Sequence, residues 1–293
     1  MVSAITFALL SAAGGDAFSA LRDNPQVSER TIEHLRSVYG LDQPLPTRYG
    51  KWLSGAVRGD FGESISFRVP VAGLIWSRFT ATLLLGSIAL LFALTLSLSL
   101  AVLSVRYPSK ALNAFVELLI LLASSTPRIV LALIALALMV RLSGSTSNEA
   151  VGSVMLTFLA SITLAIPLIA LFLAQAREGL SKAMNEDFVR YARAKGLSEW
   201  AVVLRHAVRP ALNPFLTLFG LSLGALLGGS VIVEAVLGWP GIGSLIVAAV
   251  KNRDIPVVMG VVLLTSSAVW FGNAVAELLQ YLNDRRIGLG KTS

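Results

Sequence analysis

Few residues of this chain carry groups that could do chemistry. Its 293 residues include no cysteine and only two histidines, His34 and His206. Disulfides, zinc–thiolate sites, cysteine nucleophiles and multi-histidine metal sites are therefore excluded. No serine–histidine–acid arrangement and no pair of carboxylates stands out, so the sequence points away from an enzyme, and we interpret His206 as a structural residue.

A fragment of a phosphate-binding loop, Gly290-Lys291-Thr292, lies near the carboxyl terminus. The complete motif needs a glycine five residues before Gly290, where this chain has Arg285, and a buried strand before it. Both features are missing. We therefore expect this chain to bind no ATP and no other cofactor.

Two ionisable residues, Glu117 and Arg128, interrupt one long apolar run. They are eleven residues apart, which places them on the same face of a continuous helix, about three turns from each other. Ionisable groups inside a membrane are candidates for a functional site. Glu117 lies near the end of the run, where a structural role is favoured. Arg128 lies deeper, beside Pro127, and together with Ser125 it is a candidate for lining a translocation path and meeting a substrate carboxylate.

Composition indicates that the run does cross a membrane. The chain is 55% hydrophobic and 14% charged, and its mean hydropathy is +0.74. Soluble domains carry about 25% charged residues, so this chain needs the lipid bilayer as part of its solvent. The net charge of +7 could suggest nucleic acid, but basic cytoplasmic loops explain it better, and we expect no nucleic-acid partner.

Five apolar runs are long enough to span a bilayer as helices. They cover residues 79–105, 111–140 with an interruption at Pro127-Arg128, 150–176, 210–237 and 257–282. Residues 1–13 are apolar but shorter than the roughly 20 residues that a span needs, and no basic segment precedes them as in a signal peptide. We interpret them as a partial first transmembrane helix. Residues 14–78 are then an extracytoplasmic loop with short helices, and residues 79–293 form the transmembrane core. The predicted fold is an all-α integral membrane protein with six transmembrane helices.

The basic residues predict which side each loop occupies. Residues 177–209, hereafter the polar loop, contain seven Lys or Arg, and the turn at 106–110 and the carboxyl-terminal tail are also basic. The loops at 141–149 and 239–256, on the opposite side, contain three in total. Basic loops remain in the cytoplasm, so the polar loop and both termini are predicted to be cytoplasmic.

Capping residues divide the polar loop into two short helices. Asn185, followed by Glu186 and Asp187, has the pattern of a helix start, and Gly196 is a typical stop. Ser198 then caps a second helix. These patterns alone leave two interpretations open, a solvated connector and a docking surface.

Three separated blocks of sequence resemble one family. The first runs from Phe188 to Glu199 with Leu204-Arg-His-Ala and Asn213-Pro214, the second from Gly228 to Gly243 with Asn252 to Pro256, and the third comprises Asp23-Asn-Pro, Gly40 to Leu45 and Arg58 to Gly62. Together they are similar to permeases of ATP-binding-cassette importers, most closely to the dipeptide, oligopeptide and nickel permease family. The likeness covers about residues 14–286.

The resemblance implies a fold, a set of partners and a role for the polar loop. The implied protein has the type I importer permease fold in the bacterial cytoplasmic (inner) membrane. It works with a second homologous permease, two ATPase subunits that hydrolyse the ATP, and an extracytoplasmic solute-binding protein. The polar loop would dock into a groove of the ATPase. The residues that this role assigns to the docking surface are Glu186, Asp187, Arg190, Tyr191, Ala192, Arg193, Ala194, Gly196 and Leu197.

The chain departs from the family pattern at three places. The general permease loop has Glu-Ala-Ala where this chain has Arg190, Tyr191 and Ala192, which is typical of the peptide branch. The first helix starts further upstream in the family, and the loop at 141–149 is shorter than expected.

Two further groups complete the predicted sites. Gly220, Gly224 and Gly228 form a stripe on one helix face that allows a close helix approach, either within the subunit or against the partner permease. Residues assigned by the resemblance to the outer gate and loop are Glu234, Trp239, Pro240, Gly241 and Asp254. Glu234 is expected to anchor the helix to the loop by hydrogen bonding.

The leading hypothesis is a permease subunit that forms half of a translocation path for peptides or similar small solutes. The same kind of complex importing nickel chelates or another non-peptide solute remains an alternative. A self-contained secondary transporter is a further alternative, although the chain shows few charges at mid-membrane and no clear repeat. A membrane-embedded enzyme would need a catalytic cluster, which the sequence does not show.

Overall fold

The structure, a computed structural model, describes residues 2–12, 28–38, 40–143 and 149–283. The motif Asp23-Asn-Pro25, most of the loop at 141–149, and the basic tail with Gly290-Lys291-Thr292 lie outside the described residues. In the described residues the chain is helical apart from turns and an isolated β-bridge between Glu63 and Pro70.

The described residues contain twelve helices, which are numbered in chain order. They are α1 (Val2–Ala12), α2 (Glu29–Val38), α3 (Leu45–Ala56), α4 (Val71–Arg106), α5 (Lys110–Ser125), α6 (Arg128–Ser143), α7 (Glu149–Met184), α8 (Asp187–Ala194), α9 (Glu199–Ala201), α10 (Val208–Leu237), α11 (Ile242–Lys251) and α12 (Ile255–Asn283). A π-helical segment, Val202–Ala207, joins α9 to α10 without a break.

Within the part of the chain that the structure describes, four helical stretches are long and apolar enough to cross a membrane. They are Val71–Arg106, Gly152–Met184, Glu199–Leu237 and Ile255–Asn283, and α5 with α6 makes a fifth if the bent pair counts as one span. Helices satisfy their own backbone hydrogen bonds, which is what the hydrocarbon core requires. The predicted all-α membrane fold is confirmed, with α1 as a shorter apolar helix of 11 residues.

The second predicted span is broken, so one sequence expectation is wrong. Glu117 and Arg128 do not share a helix face, because α5 ends at Ser125 and α6 begins at Arg128 after a bend of 98°. Proline lacks a backbone N–H and disfavours helical geometry in the residue before it. Thr126, before Pro127, accordingly has φ −85° and ψ 119°.

Two spanning helices extend well into the polar loop. Helix α7 continues to Met184, past the predicted end of its apolar run at residue 176, and the stretch Glu199–Leu237 is helical from a point well before Pro210. Only residues 185–198 therefore separate two long helices, and most of this short link is helix α8.

The chain divides into two compact units. One comprises Met1–Thr82 with Pro240–Ser267, and the other Leu83–Trp239 with Ala268–Ser293. In the second unit, α7 and α10 pack along each other through fully buried residues such as Phe172 and Leu173, and the rings of Phe172 and Phe215 lie 4.8 Å apart.

The first unit is organised around a buried carboxylate, that of Asp254. Its Oδ2 accepts hydrogen bonds from Ser64 Oγ at 2.6 Å and from the backbone N–H of Ser66 at 2.9 Å. Its Oδ1 faces the N–H of Val257 at 3.4 Å, in the first turn of α12. The side chain of Asp254 is fully buried. Its hydrogen bonds join the start of the spanning helix α12 to residues almost 200 positions earlier in the chain.

We expect Asp254→Ala to destabilise this unit by about 2–4 kcal/mol, because it leaves buried donors without an acceptor. Thermal unfolding of the purified protein in detergent measures the change. The exposed Asp42→Ala serves as a control and is expected to shift the unfolding temperature little. An unfolding temperature for Asp254→Ala equal to that of the control would contradict the anchoring role.

Candidate functional site

The polar loop is built around α8, which begins at Asp187, one residue later than the sequence predicts. The N-cap position is Glu186, whose side chain makes no capping bond. Asn185, predicted as the cap, instead donates from Nδ2 to the carbonyl of Ser181 at 3.0 Å. The predicted cap is therefore wrong, because Asn185 still lies within reach of the last turn of α7.

Gly196 ends α8 as the sequence predicts. Its φ is +77°, a left-handed conformation that glycine adopts without steric cost, and its N–H bonds the carbonyl of Arg193 at 2.9 Å. An added Cβ would meet nothing within 4 Å. Backbone conformation, and not space, therefore makes a side chain unfavourable at this position.

One face of α8 is buried inside the protein. Val189, Ala192 and Val202 form a small apolar cluster against which Met184 packs. Ala192, which the resemblance assigns to the docking surface, is 5% exposed and turned towards this cluster. The small side chain at this position allows α8 to lie close to the π-helical segment.

The opposite face of α8 is open and mixed in character. Tyr191 is 70% exposed, and Phe188 and Leu197 are also exposed. Around them lie exposed polar and small residues of the predicted docking set, namely Glu186, Asp187, Arg190 and Ala194. Arg190 and Asp187 approach each other at 3.5 Å, one helical turn apart. Apolar side chains on a charged surface are typical of a protein–protein contact.

An ion pair fixes α8 to the next helix. Arg193 donates from Nε and Nη2 to the two carboxylate oxygens of Glu199, at 2.9 and 3.1 Å. The hydrogen bond to Glu199 raises the pKa of Arg193 above its usual value. Ser198 caps that helix as predicted, accepting a bond from the N–H of Ala201 at 3.3 Å. This two-pronged geometry fixes both the position and the orientation of α8 relative to the next helix.

A second attachment joins the polar loop to the end of α4. The guanidinium carbon of Arg106 lies 4.7 Å from the ring centre of Tyr107 and 5.9 Å from that of Trp200. The two rings lie 6.1 Å apart, edge to face. In the sequence Arg106 is only one charge of a basic turn, since nothing in the spacing connects it with Trp200 across almost 100 residues.

A second candidate site lies at the break between α5 and α6. Arg128, the first residue of α6, donates from Nη1 to the carbonyl of Ala225 in α10 at 3.1 Å. Its guanidinium occupies the space that a side chain at Gly229 would fill, since a Cβ there would overlap Nη1 and lie 2.6 Å from Cζ. Ser125, the other predicted path residue, donates its hydroxyl to the carbonyl of Leu121 at 2.6 Å.

The predicted glycine stripe divides into three different environments. A Cβ at Gly220 would lie 2.7 Å from the Cβ of Ala276, and one at Gly224 would lie 3.4 Å from Val269, both in α12. A Cβ at Gly228 would meet nothing within 4 Å. Gly229 carries no signal in the sequence, because its role depends on an arginine a hundred residues away.

The predicted outer residues fall into both units. In the second unit Glu234 is fully buried, and its carbonyl accepts from the N–H of Trp239 at 3.0 Å. In the first unit Gly241, which follows Pro240, is the N-cap of α11, and the next residue, Ile242, donates its N–H to Thr82 Oγ1 at 2.8 Å. Asp254 is the buried anchor described above.

Comparison with known proteins places this architecture in a family. Residues 93–289 match the family described as binding-protein-dependent transport system inner membrane component. The oligopeptide transport system permease protein AppB of Bacillus subtilis is 32% identical over 98% of this chain and 94% of its own length. The glutathione transport system permease protein GsiC of Escherichia coli K12 is 33% identical over 95% of this chain and 91% of its own.

A protein of Brucella suis biovar 1 with a provisional peptide-permease name is 35% identical over 97% of this chain and 92% of its own. The likeness extends through both units and agrees with the all-helical, membrane-spanning fold. The chain belongs to the family of binding-protein-dependent inner membrane permeases and is a multi-pass permease subunit of an ATP-binding-cassette importer of the peptide type.

Proposed function

We propose that the open face of α8 docks a separate ATPase and that the polar loop transmits the ATPase's movement to the spanning helices. The observation that supports this most directly is that α8 has one exposed apolar and charged face, while its other face is fixed to the protein. A solvated connector needs no such fixing. A docking element does, because a helix that tilted freely would absorb the movement of its partner.

Three attachments make the polar loop suited to transmission. The Val189 cluster joins α8 to the end of α7, the Arg193–Glu199 pair joins it to the start of the next span, and Trp200 lies against Arg106 at the end of α4. A displacement of α8 therefore acts on three long helices together. Alternating access by such tilting needs no chemistry in this chain, and we propose that it binds no nucleotide and catalyses no reaction.

The proposed complex contains a second homologous permease, two ATPase subunits and an extracytoplasmic solute-binding protein, in the cytoplasmic membrane. Large apolar side chains remain exposed along the spans, among them Leu121, Leu133, Trp270 and Phe271. Lipid and a second permease are the surfaces that such residues suit. The basic residues of the polar loop support a cytoplasmic position for α8 and for both termini, which is the orientation that we propose.

Peptides are the proposed cargo, because the relatives named above are named for oligopeptide and glutathione transport. Nickel chelates or another small solute are the alternative for the same kind of complex. A self-contained secondary transporter would move solute in vesicles without ATP or partners. Reconstituting the chain alone and with its ATPases therefore separates the classes, and we expect uptake only in the complete complex with ATP.

Gly196→Val tests the docking role. Valine at φ +77° is strained by roughly 1–2 kcal/mol, so the end of α8 has to shift and its docking face with it. We expect ATP-dependent uptake to fall about tenfold, while insertion in the membrane is unchanged. Normal uptake together with normal copurification of the ATPase would refute docking through α8.

The matched control for this variant is Gly59→Val. Gly59 has φ +83° and also has nothing within 4 Å of an added Cβ, but it lies far along the chain from the polar loop. The same backbone strain there is expected to leave ATPase copurification intact. Equal loss in both variants would mean that strain alone, and not position, causes the defect.

Trp200→Ala and Tyr191→Ala separate transmission from docking. Trp200 contacts Arg106 inside the subunit, whereas Tyr191 projects from the open face. We expect Tyr191→Ala to reduce ATPase copurification. Trp200→Ala is expected to retain the ATPase but lower the uptake per ATP hydrolysed, measured in proteoliposomes. If Trp200→Ala left that ratio unchanged, the contact with Arg106 would have no part in transmission.

A further inference from the structure

Arg128 is a cation that the described part of the chain leaves without an opposite charge. Its contact there is the carbonyl of Ala225, at 3.1 Å from Nη1. A guanidinium has five N–H donors, and a neutral carbonyl satisfies one of them without balancing the charge. No acidic side chain of the described residues forms a salt bridge with it.

The fold nevertheless leaves a defined space for the guanidinium of Arg128 beside Gly229, hereafter the Arg128 seat. Gly229 lies one helical turn after Ala225 on α10, and any side chain there would occupy the position of the Arg128 guanidinium. The neighbouring Gly228 has open space around it. The missing side chain at residue 229 therefore fixes where the charge of Arg128 lies, beside the break between α5 and α6.

The hydroxyl groups near the break do not compete for this role. Ser125 and Thr126 donate to carbonyls of the last turn of α5, Leu121 at 2.6 Å and Leu122 at 2.7 Å. These hydrogen bonds satisfy backbone carbonyl groups at the end of α5. The remaining donors of Arg128, which is only partly buried, are the strongest polar feature at the break.

We infer that Arg128, seated against Gly229, binds a free carboxylate of the cargo as it passes and so favours solutes that carry one. This inference rests on the proposed function, because it needs cargo to pass the break between α5 and α6. A planar carboxylate matches the fork of a guanidinium, which makes the pair specific. Partial exposure of Arg128 keeps the pair accessible to water, so the cargo can leave again, as transport requires.

The test uses the complete importer complex in proteoliposomes and two probes, trialanine and its carboxyl-terminal amide. The measured quantity is the ratio of their ATP-dependent uptake rates. The same binding protein serves every variant, so a change in this ratio belongs to the permease. We expect Arg128→Gln to lower the preference for the free carboxylate about tenfold, and Arg128→Lys to retain part of it.

Gly229→Ala and Gly228→Ala form the matched pair. The first displaces the guanidinium and is expected to reduce the carboxylate preference, whereas the second adds the same atom in open space and is expected to leave it unchanged. In the background of Arg128→Gln, Gly229→Ala is expected to have no further effect on the ratio. A reduction that persisted there would show that Gly229 acts on packing and not through Arg128.

Each remaining outcome is decisive. If Arg128→Gln lowered the uptake of both probes equally, or left the ratio of their uptake rates unchanged, the proposed preference for a free carboxylate would be overturned. The proposed function would remain intact. If the second permease were lost from the purified Arg128→Gln complex, the group that pairs with Arg128 would lie in that partner and not in the cargo. This result would also overturn the preference for a free carboxylate. Absence of ATP-dependent uptake by the unaltered complex would instead refute the proposed peptide transport, and this inference with it.

Discussion

A backbone polar group in the hydrocarbon core has no water to bond, and this constraint shapes the membrane-spanning part of the chain. It requires long helices, and it makes any interruption costly unless nearby side chains satisfy the freed groups. The break at Thr126-Pro127 meets this condition. The hydroxyls of Ser125 and Thr126 bond carbonyls of the preceding turn, and Pro127 has no N–H to satisfy. An irregular segment at such a depth is tolerated where protein or a water-filled path surrounds it, which agrees with the cation placed directly after the break.

The polar loop is not subject to this constraint, because it lies outside the apolar runs. Water can satisfy its backbone, so nothing forces it to be rigid. It is nevertheless fixed by an apolar cluster, a two-pronged ion pair and a cation–ring contact, each on a different neighbour. Exposed ion pairs contribute little to stability. Their geometric effect, which is to set the orientation of α8 relative to two spanning helices, accounts better for their presence than stability does.

The helical membrane fold and the position of the polar loop between two spans could be predicted from the sequence, because apolar length and the signals at Gly196 and Ser198 are local patterns. Apart from the N-cap of α8, which is Glu186 and not Asn185, the predictions that failed depended on bends or contacts between residues separated along the chain. Glu117 and Arg128 were predicted to share a helix face, but the bend at Pro127 separates them. Ala192 was assigned to the docking surface, but its side chain packs in a buried cluster. Gly229 and Trp200 carried no local signal at all, since their roles come from Arg128 and Arg106, each about a hundred residues away.

One helical stretch, Glu199–Leu237, connects the two candidate sites. At 1.5 Å per residue, Gly229 lies about 45 Å along it from Glu199. The stretch holds α8 at one end through Glu199 and seats Arg128 against Gly229 near the other. Its irregular points are the π-helical segment Val202–Ala207 and the internal Pro214, both on the side of α8. Beyond Pro214 the helix runs regularly, with Gly220 close to α12. Bending is therefore favoured near the polar loop, and under the proposed function we expect the segment carrying the Arg128 seat to move as a rigid body when α8 is displaced.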